Sequence, residues 1–377
     1  MSRDSSRLFD RPLAAAVDDW LTERRGQPAL ASDGVRPSLR WLHGPSGPLA
    51  PGGAARDAKT LACTLATVAW TDMSVAFSLW SHRMVLEYLR AAERTAAVGR
   101  WLASLEAAEI VGSTALAAAM AHHVSGAPLS VTGHPSGKGL ALEGRIRWAS
   151  NLFGKQFVLV TAVEIPGRIP RIVALSGDQP GLEIDPYPQL LDLQGTFSSS
   201  LRLAGVRIDE TAVLSSDFHR FVRRVRPTFL LWQASFAWGL GARALSEAAP
   251  NVEREPNRVF AGELRSLESE RDRIEAAIVD ELDRDGGAAG SGPSSLTGSS
   301  PTAGGSGATP GELAPIVAIR LDAARLAGAA TRLECKVVGG AGYASDSGTA
   351  RRLREAAFLP IQSPTEGQLQ WELSRSL

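Results

Sequence analysis

Cysteine is almost missing from this chain of 377 residues: there are two, Cys63 and Cys335, far apart and without a histidine or second cysteine at metal-ligand spacing. That argues against a disulfide framework and a zinc site, so no metal is expected and a reducing cytoplasm is the expected compartment. An excess of charge of either sign is missing too. Forty Lys and Arg balance forty Asp and Glu, a formal net charge of +0, so no global field draws the protein to nucleic acid or to an anionic membrane surface. Neither is expected as a partner. Nor is there a long hydrophobic run near the start: charges are scattered through Met1 to Asp19, and neither a signal peptide nor a membrane span is expected there. What is present is 44% hydrophobic residues over a length that suits two or three domains with sizeable cores.

One stretch departs from globular composition. Gly286 to Gly311 is built mostly of Gly, Ser, Ala, Thr and Pro and cannot bury enough apolar area to offset its ordering entropy, so it reads as a flexible insertion without a catalytic role. Before about residue 110 the pattern is helical: Lys59 to Ala92 carries Leu61, Leu65, Val68, Val75, Leu79, Val85 and Leu89, with a break near Thr71 and Asp72. From Val111 the pattern changes to short apolar runs separated by Gly and Pro. Gly139 to Ser150, Gln156 to Val163, Arg171 to Leu175, Gln189 to Leu193 and Ser198 to Ile208 read as strands. Thr228 to Ala249 is apolar nearly all round, which predicts a helix buried within a bundle; Gly262 to Asp283, Glu312 to Val338 and Thr349 to Leu373 complete four long helices. The expected organisation is an N-terminal helical domain (1–110), a middle β-sheet or barrel domain (111–222) and a C-terminal four-helix bundle (223–377) that carries the insertion 286–311.

Several catalytic signatures fail on inspection. Gly340 to Ser345 lacks the third glycine of a dinucleotide fingerprint and follows a helix, and Gly133 to Gly139 lacks the residues that a phosphate loop needs at its ends. No Gly-x-Ser-x-Gly elbow is present, and His122 and His123 have no acidic partner at metal spacing.

A set of matches in consistent order remains. Asp72-Met73-Ser74 with His82 and Arg100-Trp101-Leu102 comes first, then Glu143-Gly144-Arg145-Ile146-Arg147-Trp148-Ala149-Ser150-Asn151 and Ser198 to Val206. Arg258-Val259-Phe260-Ala261-Gly262 and Lys336-Val337-Val338-Gly339-Gly340-Ala341-Gly342-Tyr343 follow, and Arg351, Arg354, Glu355 and Ala356 close the series. With these residues the chain resembles the acyl-CoA dehydrogenase superfamily of flavoproteins, from roughly residue 60 to the C-terminus. The resemblance implies helices, then a β domain, then a four-helix bundle, which is the order read independently from the pattern. It also implies FAD, an acyl thioester such as acyl-CoA as the small-molecule substrate, an electron-transfer flavoprotein as redox partner, and a homodimer or homotetramer.

The positions that the resemblance assigns to the cofactor are Leu116, Trp148, Ser150, Arg258, Lys336, Gly339, Gly340 and Thr365. Their chemistry is reasonable. A flavin ring is flat and apolar on its faces and polar on its edge, so it wants an aromatic wall and a donor; Trp148 and Ser150, two apart on a strand, offer both. The competing reading of Trp148 is a core tryptophan. Gly339 and Gly340 admit a close backbone approach, the alternative being a helix C-cap. Arg258 resembles the arginine that binds pyrophosphate, with Arg254 as competitor and a solvated surface charge as the other reading.

The chain departs from the family where the chemistry is done. Dehydrogenation needs a carboxylate to remove the α-proton, and the family's Ile-Tyr-Glu-Gly-Thr segment here reads Ile361-Gln362-Ser363-Pro364-Thr365, which puts Ser363 in place of the base. The other position used by relatives, about Pro227 to Leu231, has no acid. Glu366 is a candidate relocated base, although on a helix it faces another way. The flavin-side loop reads Ala115-Leu116-Ala117-Ala118 and lacks a hydroxyl that commonly bonds the flavin. Three functions stay open: an FAD-dependent acyl-CoA dehydrogenase-like oxidoreductase with an unusual base, a flavin-dependent monooxygenase of the same fold assisted by His122 or His123, and a catalytically silent partner subunit.

Overall fold

Short polar side chains set the helix starts. In the computed structural model, which describes residues 6–24, 33–45, 47–50, 57–93, 95–288 and 313–376, Asp57, Asp72, Thr95, Asp217, Ser347 and Thr365 each accept a hydrogen bond from the backbone N–H three residues on. Each satisfies a donor that the first helical turn leaves unpaired. The N-terminal helices are α1 (Arg11–Arg24), α2 (Arg36–His43), α3 (Ala58–Thr71), α4 (Met73–Ala91) and α5 (Ala96–Glu106). The expected break at Thr71 and Asp72 is there: the Asp72 N–H closes α3 on the Val68 carbonyl (2.8 Å), and its carboxylate opens α4 by accepting from Val75 N (2.9 Å).

The middle of the chain holds β1 (Val111–Ala115), α6 (Ala117–Ser125), β2 (Val131–Ser136), β3 (Gly139–Ala149), β4 (Phe157–Val163), β5 (Arg171–Ser176), β6 (Leu182–Ile184), β7 (Ser199–Asp209) and β8 (Val213–Ser215). They form two four-stranded sheets, ordered β1-β4-β5-β8 and β2-β3-β7-β6, with β1 parallel to β4 and the other pairs antiparallel. Leu142, Ile146, Leu159, Val173, Leu175 and Leu201 share a buried apolar cluster of their own. The antiparallel sheet or barrel expected from the pattern is thus a pair of sheets, one of them mixed. The strand expected at Gln189 to Leu193 is a turn. Leu193 sits at φ +60°, and the Gln194 side chain accepts from Leu190 N and donates to the Pro188 carbonyl, taking backbone groups that a ladder would need.

The C-terminal helices are α7 (Phe218–Val252), α8 (Ala261–Ala288), α9 (Ala314–Val338), α10 (Gly348–Phe358) and α11 (Glu366–Ser374). From Thr228 to Ala249 α7 is apolar nearly all round, as expected, and the helix is buried against α3, α4, α8 and α9. Gly239 lets α3 and α7 nearly touch: a Cβ there would lie 2.1 Å from the Ala66 carbonyl oxygen. Beside this contact Phe77, Trp80, Phe229, Phe236 and Phe358 interlock, with Phe77 to Phe358 and Trp80 to Phe229 centroids both 4.9 Å apart in edge-to-face geometry. Three boundaries differ from expectation. The helix expected from Thr228 begins at Phe218, capped by Asp217, and so runs across the expected domain boundary between 222 and 223. The helix expected over Thr349 to Leu373 splits in two because Pro360 and Pro364 cannot continue it. The helix expected to end at Asp283 runs on to Ala288, so the insertion expected at Gly286 begins inside α8, and its remainder lies outside the described residues. Among the described residues no helix is long and apolar enough to cross a membrane.

Candidate active site

The turn between α10 and α11 carries the residues expected to hold the base. Ser363 is half-buried, and its carbonyl accepts from Gln233 Nε2 of α7 at 3.0 Å. Thr365 closes a capping box at the start of α11: its hydroxyl accepts from Gln368 N, and the Gln368 side chain accepts from Thr365 N at 2.8 Å. Glu366 follows in the first helical turn. Its carboxylate accepts from Arg325 Nε of α9 at 2.9 Å and from Gln370 Nε2 at 3.0 Å, which turns it toward α9.

A cavity of about 420 Å³ opens beside this turn. Its walls are Met120, Ala121, Val124 and Ser125 of α6, Arg226 of α7, and Pro364, Thr365, Gly367, Gln368, Trp371 and Glu372 at and beyond the turn. The size lies within the range usual for small-molecule sites. Glu366 is not among the lining residues; Glu372 is. Both oxygens of Glu372 are engaged by Arg226, with Nη1 to Oε1 at 2.7 Å and Nη2 to Oε2 at 2.5 Å, and both side chains are buried. Sequence reading missed this pair. Arg226 lies before the stretch read as a buried helix, Thr228 to Ala249, and follows Arg220, Arg223 and Arg224, so nothing local marked it as the buried one that needs an acceptor.

Histidines and arginines gather next to the cavity. His219, Arg223 and Arg226 occupy one stripe of α7 at helical spacing. His123 of α6 meets the stripe with its Nδ1 3.1 Å from His219 Nδ1. Burial, then the positive field of Arg226, His219 and Arg223, pushes His123 down to about 4. His122 is separate, its Nδ1 2.8 Å from the Ala127 carbonyl oxygen. Among the described residues no group of three His, Cys, Asp or Glu is placed to hold a metal.

The β-side residues lie elsewhere. The pairing of β3 with β7 shifts between Ile146 and Ala149, and the bulge leaves Trp148 facing solvent, 59% exposed. Trp148 is therefore no core tryptophan. Ser150 lies past the end of the strand and is buried, so the simple alternation that would put both side chains on one face does not apply. The Ser150 hydroxyl is 2.7 Å from that of Ser198, which is 2.7 Å from Thr196 Oγ1. Leu116 is fully buried where α6 begins.

A third group meets at the end of α9. Asn257 Nδ2 donates to the Val337 carbonyl at 2.9 Å and so ties the turn that carries Arg258 to the segment that carries Lys336, Gly339 and Gly340. Gly339 has φ +70° and ψ −148°, a conformation open essentially to glycine alone. A Cβ on either Gly339 or Gly340 would meet nothing within 4 Å, so this chain leaves the space above both glycines free. Lys336 pairs with Glu263 (2.8 Å) and Arg258 with Glu255 (3.6 Å), both on the surface.

The donor chemistry of these residues suits a flavin. A bare indole at Trp148, a hydroxyl at Thr365 on the cavity wall and two open glycines answer a flat ring and a polar tail. Arg258 and Lys336 would exchange a carboxylate for a phosphate, at low cost because exposed ion pairs contribute only about 0–1 kcal/mol.

No family model matches the chain, and no curated protein matches it in sequence. Solved structures match it over nearly its whole length. Butyryl-CoA dehydrogenase from Megasphaera elsdenii superposes with a TM-score of 0.77 at 13% identity, covering 100% of this chain and 99% of its own. Glutaryl-CoA dehydrogenase from Mycobacterium smegmatis gives 0.77 at 17%, covering 97% and 93%. Acyl-CoA dehydrogenase from Geobacillus kaustophilus gives 0.76 at 14%, covering 98% and 99%. With its helical N- and C-terminal parts around a β middle, this chain has the acyl-CoA dehydrogenase fold.

Proposed function

We propose that the protein is an FAD-dependent oxidoreductase of the acyl-CoA dehydrogenase type in which proton abstraction is weak. The observation that carries this reading is the cavity. Three stretches far apart in sequence converge on it: the segment after the flavin-side loop, the start of the first long bundle helix, and the Pro364–Thr365 turn next to Ser363. Trp148, bare on the β side, is assigned as a flat wall for the ring and Thr365 as a polar contact in the cavity, while Ser150, turned inward onto Ser198, holds the end of the strand that carries Trp148. Arg223, one helical turn before Arg226 on α7, is the cation beside the cavity that an acyl carrier's phosphate would meet, Arg226 itself being paired with Glu372. The open glycines at 339 and 340 leave room for cofactor shared with a neighbouring subunit of a homodimer or homotetramer, and an electron-transfer flavoprotein would take the electrons.

When bound, the flavin supplies a hydride acceptor for the β-carbon of the thioester. The α-proton needs a base from the chain. Ser363 has none to offer, since a hydroxyl without a partner does not ionise near neutral pH. Glu366 is engaged by Arg325, and both oxygens of Glu372 are engaged by Arg226, so neither carboxylate is presented free to a substrate carbon. That last observation favours a second reading, a flavin-binding partner subunit without turnover.

The test is the absorbance spectrum of the purified protein followed by anaerobic titration with acyl-CoA thioesters. Slow bleaching supports the first reading. A yellow protein that no thioester bleaches supports the second, or an oxygen-activating chemistry if reduced flavin then reacts with oxygen and an acceptor substrate. A protein that is colourless and takes up no added FAD overturns all of them.

A further inference from the structure

Three arginines are buried among the C-terminal helices, and two of them have a counter-ion. Arg226 is bidentate with Glu372, and Arg352 is bidentate with Glu334, which also accepts from the Thr349 hydroxyl. Arg320, in the middle of α9, is 0% exposed and has none. Its Nε donates to Gln233 Oε1 (2.9 Å), and its Nη2 donates to Gln362 Oε1 (2.9 Å) and to the Leu359 carbonyl (3.3 Å). Every one of these acceptors is neutral. Two donors of the same network are left over, since Arg320 Nη1 and Gln362 Nε2 are both buried without an acceptor among the described residues.

The group is nonetheless charged at neutral pH. Burial lowers it to about 10, and Glu366, whose field opposes that shift, is already paired with Arg325. A buried cation without a counter-ion and a buried N–H without an acceptor each lose the hydration they had in the unfolded chain with nothing in return. A water molecule would satisfy the N–H groups but not the charge. A small anion would satisfy both.

We propose that a chloride-sized monovalent anion binds inside the protein against Arg320 Nη1 and Gln362 Nε2, between α7, α9 and the turn at 359–363. The anion completes a network that reaches the turn of the candidate active site, because Gln233 bonds Arg320 with its oxygen and the Ser363 carbonyl with its nitrogen. It is independent of whether the protein binds flavin.

The experiment has two arms. Crystals of the full chain grown in bromide should show an anomalous peak within hydrogen-bonding reach of Arg320 Nη1. In solution, at fixed ionic strength with chloride exchanged for the bulky anion gluconate, Tm should rise with the logarithm of chloride concentration, as it does for any ligand that binds only the folded state. Arg320→Met should abolish that dependence. If that variant does not fold, Gln362→Met, which keeps the cation and removes one donor, should weaken it. Water alone at the position, or a Tm indifferent to chloride in the parent protein, overturns the proposal.

Discussion

Single side chains carry most of the functional argument. Trp148 is exposed because a bulge turns it out of the β3–β7 ladder, and the proposed function uses its bare indole as the face on which the flavin ring stacks. Replacing Trp148 with alanine should weaken FAD binding by roughly fivefold, the equivalent of about 1 kcal/mol of stacking, with the fold unchanged by circular dichroism. Equal affinity in a flavin fluorescence titration would place the ring elsewhere. At the turn, Ser363→Glu should create or raise α,β-dehydrogenation of a saturated acyl-CoA, read with an artificial electron acceptor. Robust turnover by the parent protein that is lost in Glu366→Gln would show instead that Glu366 leaves Arg325 to act as the base. The site was only partly legible at this scale. Thr365 could be matched to a motif, but the Arg226–Glu372 pair joins residues 146 positions apart, and no local pattern announces such a partner.

Elements meet where one of them lacks a side chain. Gly239 sits within the most buried stretch of α7, and the Cβ of an alanine would fall 2.1 Å from a backbone oxygen of α3. Alanine normally favours a helix over glycine by about 1 kcal/mol. Here backbone has to move, and overpacking of this kind typically costs about 1–3 kcal/mol. Gly239→Ala is therefore expected to be net destabilising in urea, against helix propensity; a stabilised variant would mean that α3 and α7 separate easily. The break between α10 and α11 follows from Pro360 and Pro364, which the sequence displays. The failed strand at Gln189 to Leu193 does not, because its apolar residues were plain while the side-chain hydrogen bonds that hold it as a turn depend on how Gln194 is placed.

At the scale of the molecule, buried titratable groups set how stability varies with pH. His43 is buried beside His82, with ring centroids 4.7 Å apart; burial and the charge of Arg83 push His43 from 6.5 to about 4, and His82 is also held well below its usual value. Both folded-state values are depressed, so as pH falls below 6.5 the unfolded chain takes up protons that the folded chain refuses, and stability is lost toward about 4. Glu355 has the opposite sign. Burial, together with the nearby Asp72 and Asp192, raises it from 4.5 to about 8 despite Arg351, so the folded state keeps a proton that the unfolded chain releases, and stability falls as pH rises through that range. The unfolding free energy should peak near neutrality, at about pH 6–7, and decline on both sides. Denaturant titrations across this range check it, and Glu355→Gln should flatten the alkaline limb and steepen the acid limb above pH 4.5, where Glu355 opposes the histidines. An unfolding free energy that keeps rising through the alkaline range would contradict the assignment of Glu355.

Composition, periodicity and turn residues were sufficient for the order of helices, β region and helices, for the break at Thr71 and Asp72, for the buried character of α7 from Thr228 to Ala249, and for the absence of an acid at Ser363. All of these are local: a helix face, a cap or a proline break is specified by residues within a few positions of one another. The tertiary structure alone decided that the β region is two sheets, that Trp148 points outward and Ser150 inward, that Glu366 turns to Arg325, and that a cavity lies between α6, α7 and α11. Those outcomes depend on which buried charge finds which partner and on where a bulge interrupts a ladder, and the free energies that settle them come from contacts between residues distant in the chain.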